Sequence, residues 1–221
     1  MKKLFQSFLG MTLLLLCNSV FSATITIIGT DIKGLHQTDG KGEYDQIINK
    51  TLVSKGLATL KILPPARAES EFIACSNCCW SPANLNKEFY NFNFEPKVTE
   101  PMGVAKIYIF TAPGKPILDS LESLKGLKVG IVHGMPYGKS FDSAKLSTLS
   151  APTIEKNIEL VEKGRIDAFV AYVPDTYVVF EQMKKEKFPH AIDKPLVTHP
   201  DSLICKGVDD SFIQTFNAGL K

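Results

Sequence analysis

Cys75, Cys78 and Cys79 stand close together, and Cys205 lies far downstream. In Cys75-Ser76-Asn77-Cys78 the two-residue spacing suits a pair of zinc ligands or a redox dithiol. No His follows Cys78, which excludes a c-type haem attachment pattern, and no basic neighbour is there to activate a thiolate. In an oxidising compartment the same four side chains read as structural staples. Four cysteines allow three pairings, and the one that joins the adjacent Cys78 and Cys79 is disfavoured by disulfide geometry. Both remaining pairings bridge Cys205 to Cys78 or Cys79 and close Cys75 with the other. Either makes distant parts of the chain neighbours in space.

Outside the cysteines, the side chains suited to chemistry are scattered. Arg67 can anchor an anion through its guanidinium fork or pair with Glu69 or Glu71. Trp80, the one tryptophan, can stack on a ligand or pack beside a disulfide. Asp31 either faces a cleft or shapes a turn with Gly34, and His133 is either a titrating group or a structural histidine. Tyr137 lines a cleft or closes its loop, whereas Tyr90, Phe92 and Phe94 read as core. There are no paired carboxylates at a diagnostic spacing, no Gly-x-Ser-x-Gly, no His-Glu-x-x-His and no Gly-rich phosphate loop.

The elements that must hold these residues begin after an export signal. Lys2 and Lys3 precede an apolar run centred on Leu13–Leu16, and small residues follow at Ser22 and Ala23. A cleaved signal peptide over residues 1–22 is therefore expected. Cys17 follows Leu16, which is too large for a lipoprotein signal, so a secreted product is favoured over a lipid anchor. Lys2 and Lys3 account for the whole +2 net charge, which leaves the processed chain neutral. A neutral chain has no electrostatic footprint for nucleic acid.

Strand-like and helix-like segments then alternate. Thr24–Thr30, Ala58–Leu63, Ala105–Thr111, Leu127–Val132, Ile166–Tyr172 and Ser202–Cys205 read as strands. Helices are marked by Tyr44, Ile47, Ile48 and Leu52, by residues 66–73, and by a Thr153-capped run carrying Ile154, Ile158 and Val161. Asp175 is expected to cap a helix whose inner face is Val178, Val179, Gln182 and Met183, and Phe212, Ile213, Phe216 and Leu220 mark the last one. Residues 74–101 read as irregular. This pattern predicts an α/β fold with parallel sheets covered on both faces. In such sheets ligands bind beyond the carboxyl ends of the strands, which singles out Thr30 and Asp31, the stretch from His133 through Gly134 and Met135 to Tyr137, and Tyr172.

Residues 121–138 read Leu-Glu-Ser-Leu-Lys-Gly-Leu-Lys-Val-Gly-Ile-Val-His-Gly-Met-Pro-Tyr-Gly, and Gly164–Tyr172 reads Gly-Arg-Ile-Asp-Ala-Phe-Val-Ala-Tyr. With the helix at Gly42–Leu52 and the segment Pro64-Pro65-Ala66-Arg67-Ala68, these resemble the extracellular solute-binding proteins of family 3, the type II periplasmic binding proteins of amino-acid ABC importers. The resemblance spans residues 24–221. It implies two Rossmann-like lobes joined by crossover strands, with lobe 1 made of residues 23–107 and 202–221 and lobe 2 of residues 108–201. It also implies a ligand cleft between the lobes. A first lobe divided in this way is compatible with Cys205 meeting Cys78 or Cys79.

The departures from that family are expected to define the ligand. Where amino-acid binders commonly hold the carboxylate with Arg, Asn84–Phe89 offers only Lys87. Met135 follows Gly134 where Ser or Thr is frequent, and Tyr172 stands where an Asp often meets the ammonium. The expected ligand is therefore a small organic solute other than a standard zwitterionic amino acid, held by Trp80, Tyr172 and Met135. The expected state is a periplasmic monomer of a Gram-negative cell, without metal or cofactor, that docks on an inner-membrane ABC permease or on a sensor. A cleft-based lyase is the competing enzymatic reading, and it would need His133 or Asp31 as acid or base.

Overall fold

Ile27 and Ile28 are neighbours in sequence, yet they bury into separate apolar clusters on opposite faces of one sheet. That alternation follows from the two-residue period of a strand covered on both sides. The protein is described from a computed structural model, over residues 24–221; the expected signal peptide, residues 1–22, lies outside the described residues. Ile27 belongs to β1 (Ile25–Thr30), which pairs in parallel with β2 (Ala58–Leu63) and β3 (Cys78–Ala83). Against one face pack α1 (Glu43–Thr51) and α6 (Asp210–Gly219) through Ile48, Leu52 and Phe216. Against the other packs α2 (Pro65–Ala74), with Ala68 and Phe72 set beside Trp80 and the rings of Tyr90, Phe92 and Phe94.

The second half repeats the plan. The short strand β4 (Lys97–Val98) precedes the long β5 (Gly103–Thr111). Then β6 (Lys128–Val132) pairs in parallel with β7 (Ser147–Ala151) and with β8 (Ala168–Val173). Phe110 and Phe169 face α4 (Ile154–Glu162) and α5 (Asp175–Gln182), while Ile109 and Val170 face the opposite cluster with Tyr137 and Phe141 of the short α3 (Lys139–Ser143). As expected, the Thr153 hydroxyl caps α4, accepting from the Lys156 backbone N–H at 3.2 Å.

Two strands join the halves. β9 (Val197–Lys206) runs antiparallel to β5 along its first part and to β3 along its last. The strand order is β2-β1-β3-β9-β5-β8-β6-β7, with β4 alongside β9. Within each lobe the strands pair in parallel, as expected, and β5 and β9 are the crossover strands, paired antiparallel to their neighbours. Residues 74–101 are not wholly irregular. Pro82 argues against a central strand, but it falls at a register shift between Trp80 and Ala83, where the missing N–H breaks no ladder. β7 escaped notice because it is a polar strand at the sheet edge. On α5 the buried residues are Asp175, Thr176, Val179 and Phe180, so Phe180 replaces the expected Gln182, and Pro174 rather than Asp175 takes the cap position.

The disulfides are Cys75–Cys78 and Cys79–Cys205. Cys79 and Cys205 face each other across the β3–β9 ladder and lie 126 residues apart in sequence. Closing so long a loop restricts the unfolded chain strongly. Paired replacement of Cys79 and Cys205 by Ser is expected to lose about 2–4 kcal/mol in urea denaturation, and replacement of the Cys75–Cys78 pair distinctly less. No helix among the described residues is long and apolar enough to cross a membrane.

Candidate functional site

The carboxyl ends of β1, β3, β6 and β8 converge with the two crossover strands on a cavity. Thr30, Trp80, Asn84 and Tyr90 contribute from one lobe, Gly134, Met135, Tyr172 and Asp175 from the other, and His199 and Asp201 from β9. Pro65 and Glu69 on α2 complete the wall. A second, wider cavity adjoins it through Ile32, Pro65, Met135, Tyr172 and Asp175, and extends to Asp31, Lys33, Tyr137 and Glu155.

The inner cavity is walled by oriented rings. Trp80 Nε1 donates to Thr30 Oγ1 at 2.9 Å, which fixes the indole, and Tyr90 meets it edge-on with centroids 4.9 Å apart. The Tyr172 hydroxyl donates to the Pro136 carbonyl, and its ring meets His199 edge-on at 5.8 Å. Burial lifts the Tyr172 hydroxyl well above the usual range, so it stays a neutral donor.

The polar groups are few and deeply buried. Asp201 Oδ2 accepts from the Tyr44 hydroxyl at 2.9 Å, and burial pushes its carboxyl up to about 6 against that hydrogen bond. Gly103 makes this bond possible, since a Cβ there would run into the Tyr44 hydroxyl. Asp175 is 4% exposed, and its Oδ1 has no hydrogen-bond partner. Burial pushes Asp175 up to about 8, opposed by backbone N–H groups at the start of α5 and reinforced by the charge of Asp201.

His199 follows by elimination. Asn84 Oδ1 accepts from the Asn86 backbone N–H at 2.8 Å, so the Asn84 amide nitrogen is what faces His199 Nδ1 at 3.1 Å. Nδ1 also lies 3.4 Å from the Pro200 carbonyl oxygen and 3.6 Å from Asp201 Oδ1, so it has a partner in either tautomer, whereas Nε2 has none. Burial lowers the His199 pKa, which keeps the ring neutral. The inner cavity therefore presents an unpartnered carboxylate oxygen and an unpartnered imidazole nitrogen inside aromatic walls. No Lys or Arg lines it.

Two of the residues singled out from sequence lie elsewhere. Arg67 and His133 are exposed and line neither cavity, and His133 Nδ1 meets only the Ser150 hydroxyl at 3.3 Å. Glu71, a proposed partner of Arg67, pairs instead with Lys61. Trp80, Gly134, Met135 and Tyr172 meet at the inner cavity, while Asp31 and Tyr137 line the outer one. Burial raises Asp31, and Lys33 beside it offsets part of the rise. Tyr137 is held by its hydroxyl, which accepts from the Val132 backbone N–H at 2.9 Å. Tyr90 is not core alone, since it also faces the inner cavity. Asp175, Asn84, His199 and Asp201 were missed. Asp175 lies three residues beyond Tyr172 and was within reach of the strand-end rule, but residues 197–201 carry no strand signal, which hides His199 and Asp201 of β9.

Ser81, His36 and Asp45 make the hydrogen-bonded line of an acyl-transfer triad, Ser81 Oγ to His36 Nε2 at 2.8 Å and His36 Nδ1 to Asp45 Oδ1 at 2.7 Å. All three are fully buried, and none lines either cavity. Asp45 also accepts from the backbone N–H groups of Gln37 and Gly42. The network ties the β1–α1 loop to β3 and offers a substrate no approach.

The lobes meet in a closed arrangement. Glu88 accepts from the Ser140 hydroxyl at 2.7 Å and from its backbone N–H at 3.0 Å, and Lys33 pairs with Glu155 at 3.8 Å. Gly134, at φ +77°, passes so near α2 that a Cβ would lie 2.9 Å from the Ala66 backbone nitrogen. Gly134→Ala adds left-handed strain of about 1–2 kcal/mol to that clash. It is expected to shift the empty protein toward an open form with a larger radius of gyration in X-ray scattering.

The same fold occurs in solved structures. The GluR0 ligand-binding core from Nostoc punctiforme, in complex with L-glutamate, superposes with a TM-score of 0.69 at 14% identity, over 89% of this chain and 91% of that one. The substrate-binding protein of an amino acid ABC transporter gives 0.62 at 14% identity, over 89% and 91%. A histidine kinase sensor domain with similarity to periplasmic binding proteins gives 0.62 at 17%, over 90% and 89%. No protein-family profile matches the sequence, and no curated protein matches it. The chain has the type II periplasmic binding protein fold, two α/β lobes joined by crossover strands.

Proposed function

We propose that this chain is an exported solute-binding protein that captures a small organic solute between its lobes and presents it to an inner-membrane ABC importer. In this reading residues 1–22 are removed on export to the periplasm, residues 23–107 and 202–221 form lobe 1, and residues 108–201 form lobe 2. The observation that carries it is the inner cavity, built from strand ends of both lobes and both crossover strands and holding a buried carboxylate oxygen without a partner. A ligand there touches both halves at once. It favours the closed form only by the contacts it gains on closure. In this reading the contacts come from Trp80, Met135 and Tyr172, which line the cavity.

The likeness to a sensor domain, as strong as that to the importer component, supports a second reading in which the closed form signals to a membrane receptor. Both readings require capture without turnover. The test is to purify the protein from the periplasm, denature it, and identify the released compound by mass spectrometry. Return of that compound, unaltered, to the stripped protein should raise the melting temperature. Conversion of the compound on incubation would replace binding with catalysis.

A further inference from the structure

Resting on the capture reading, we infer that the ligand is an organic ammonium ion with no carboxylate. Asp175 Oδ1 is a buried acceptor without a partner, at the meeting point of both cavities. Asp201 and Glu69 add negative charge to the same inner space, and no side-chain cation offsets it there. Such a carboxyl keeps its proton until a counter-charge arrives, and here only a ligand can bring one.

The walls agree with that charge. Trp80, Tyr90 and Tyr172 present aromatic rings to the same space, and ring faces attract cations once water is excluded. A ligand carboxylate has no comparable host. Lys33, in the outer cavity, is already shared between Glu155 at 3.8 Å and the nearby Asp31. In the inner cavity a carboxylate would sit among like charges. The unpartnered Nε2 of His199 leaves one further hydrogen bond for a neutral polar group, such as a hydroxyl, on the same ligand.

The test is calorimetric titration of the stripped protein at pH 8 with ethanolamine, tyramine and choline, against L-glutamate, L-arginine, L-leucine and succinate, alongside identification of the compound released from the native protein. The expected result is at least 100-fold tighter binding of an amine than of any carboxylate-bearing probe, with a cationic, carboxylate-free compound released. Release or preferred binding of an amino acid or dicarboxylate would overturn the cation assignment and leave capture standing. If nothing is released and no probe binds, both fall together.

Discussion

Asp175→Asn is expected to lower ligand affinity at least 100-fold while making the empty protein more stable. The two effects share a cause. Asp175 sits at the base of both cavities with Oδ1 unpartnered, so its charge is available to a cationic ligand and unfavourable without one. Its pKa is about 8 in the folded protein and near the ordinary 3.8 when unfolded. The folded state therefore holds the proton more tightly, and stability falls as pH rises from about 4 to about 8. Asparagine keeps the shape and removes the ionisation. The variant should match the wild type near pH 4 and exceed it by on the order of 2 kcal/mol near pH 9, measured by urea denaturation. Equal stability of the two proteins at both pH values would show that Asp175 is solvated or paired.

The same group sets the pH dependence of binding. A cation pairs with ionised Asp175, so affinity should rise as pH goes from 6 to 8, by up to about tenfold per unit. The acids facing Asp175 are Asp31, Glu69, Glu155 and Asp201, of which Asp201 titrates near 6 and adds to the loss of affinity below that pH. Tyr90, Tyr137 and Tyr172 stay neutral throughout, raised by burial, and His199 is kept neutral by the same cause. Lys33, held by Glu155, is the nearby permanent cation among the described residues.

The second large effect concerns His36. His36→Ala leaves Asp45 and Ser81 buried without their shared partner and opens a hole between the β1–α1 loop and β3. Breaking a buried, hydrogen-bonded pair from one side is expected to destabilise the protein by about 3–5 kcal/mol. Ser81→Ala removes only one neutral hydrogen bond and should lose about 1 kcal/mol, with ligand binding retained. That ranking distinguishes a structural network from a catalytic one. If Ser81 were a nucleophile, its replacement would abolish a reaction and spare stability.

Along the chain β3, β4, β7 and α3 were not readable, whereas the strands β1, β2, β5, β6 and β8, the helices α1, α2, α4, α5 and α6, and the positions of Met135 and Tyr172 near strand ends were. Each rests on local properties: β-branched runs, three- and four-residue apolar steps, and turn glycines. The limit on disulfide pairing was also local, because adjacent Cys78 and Cys79 cannot easily join each other. Arg67 and His133 were misplaced for a related reason. Residue type shows what a side chain can do, but not whether a helix face or strand end turns it toward the cleft.

What folding alone established is the charge of the site. Asp175, His199 and Asp201 are unremarkable in sequence, and two of them lie in a stretch that carries no strand signal. They become a buried acidic centre because β9 crosses between the lobes and pairs with both β5 and β3, which carries His199 against Asn84 and Asp201 against Tyr44, each more than 100 residues away. Local sequence encodes the hydrogen-bonding preferences and side-chain periodicity of each strand. The removal of water from two carboxylates depends on every wall of the cavity at once, so no single stretch of chain records it.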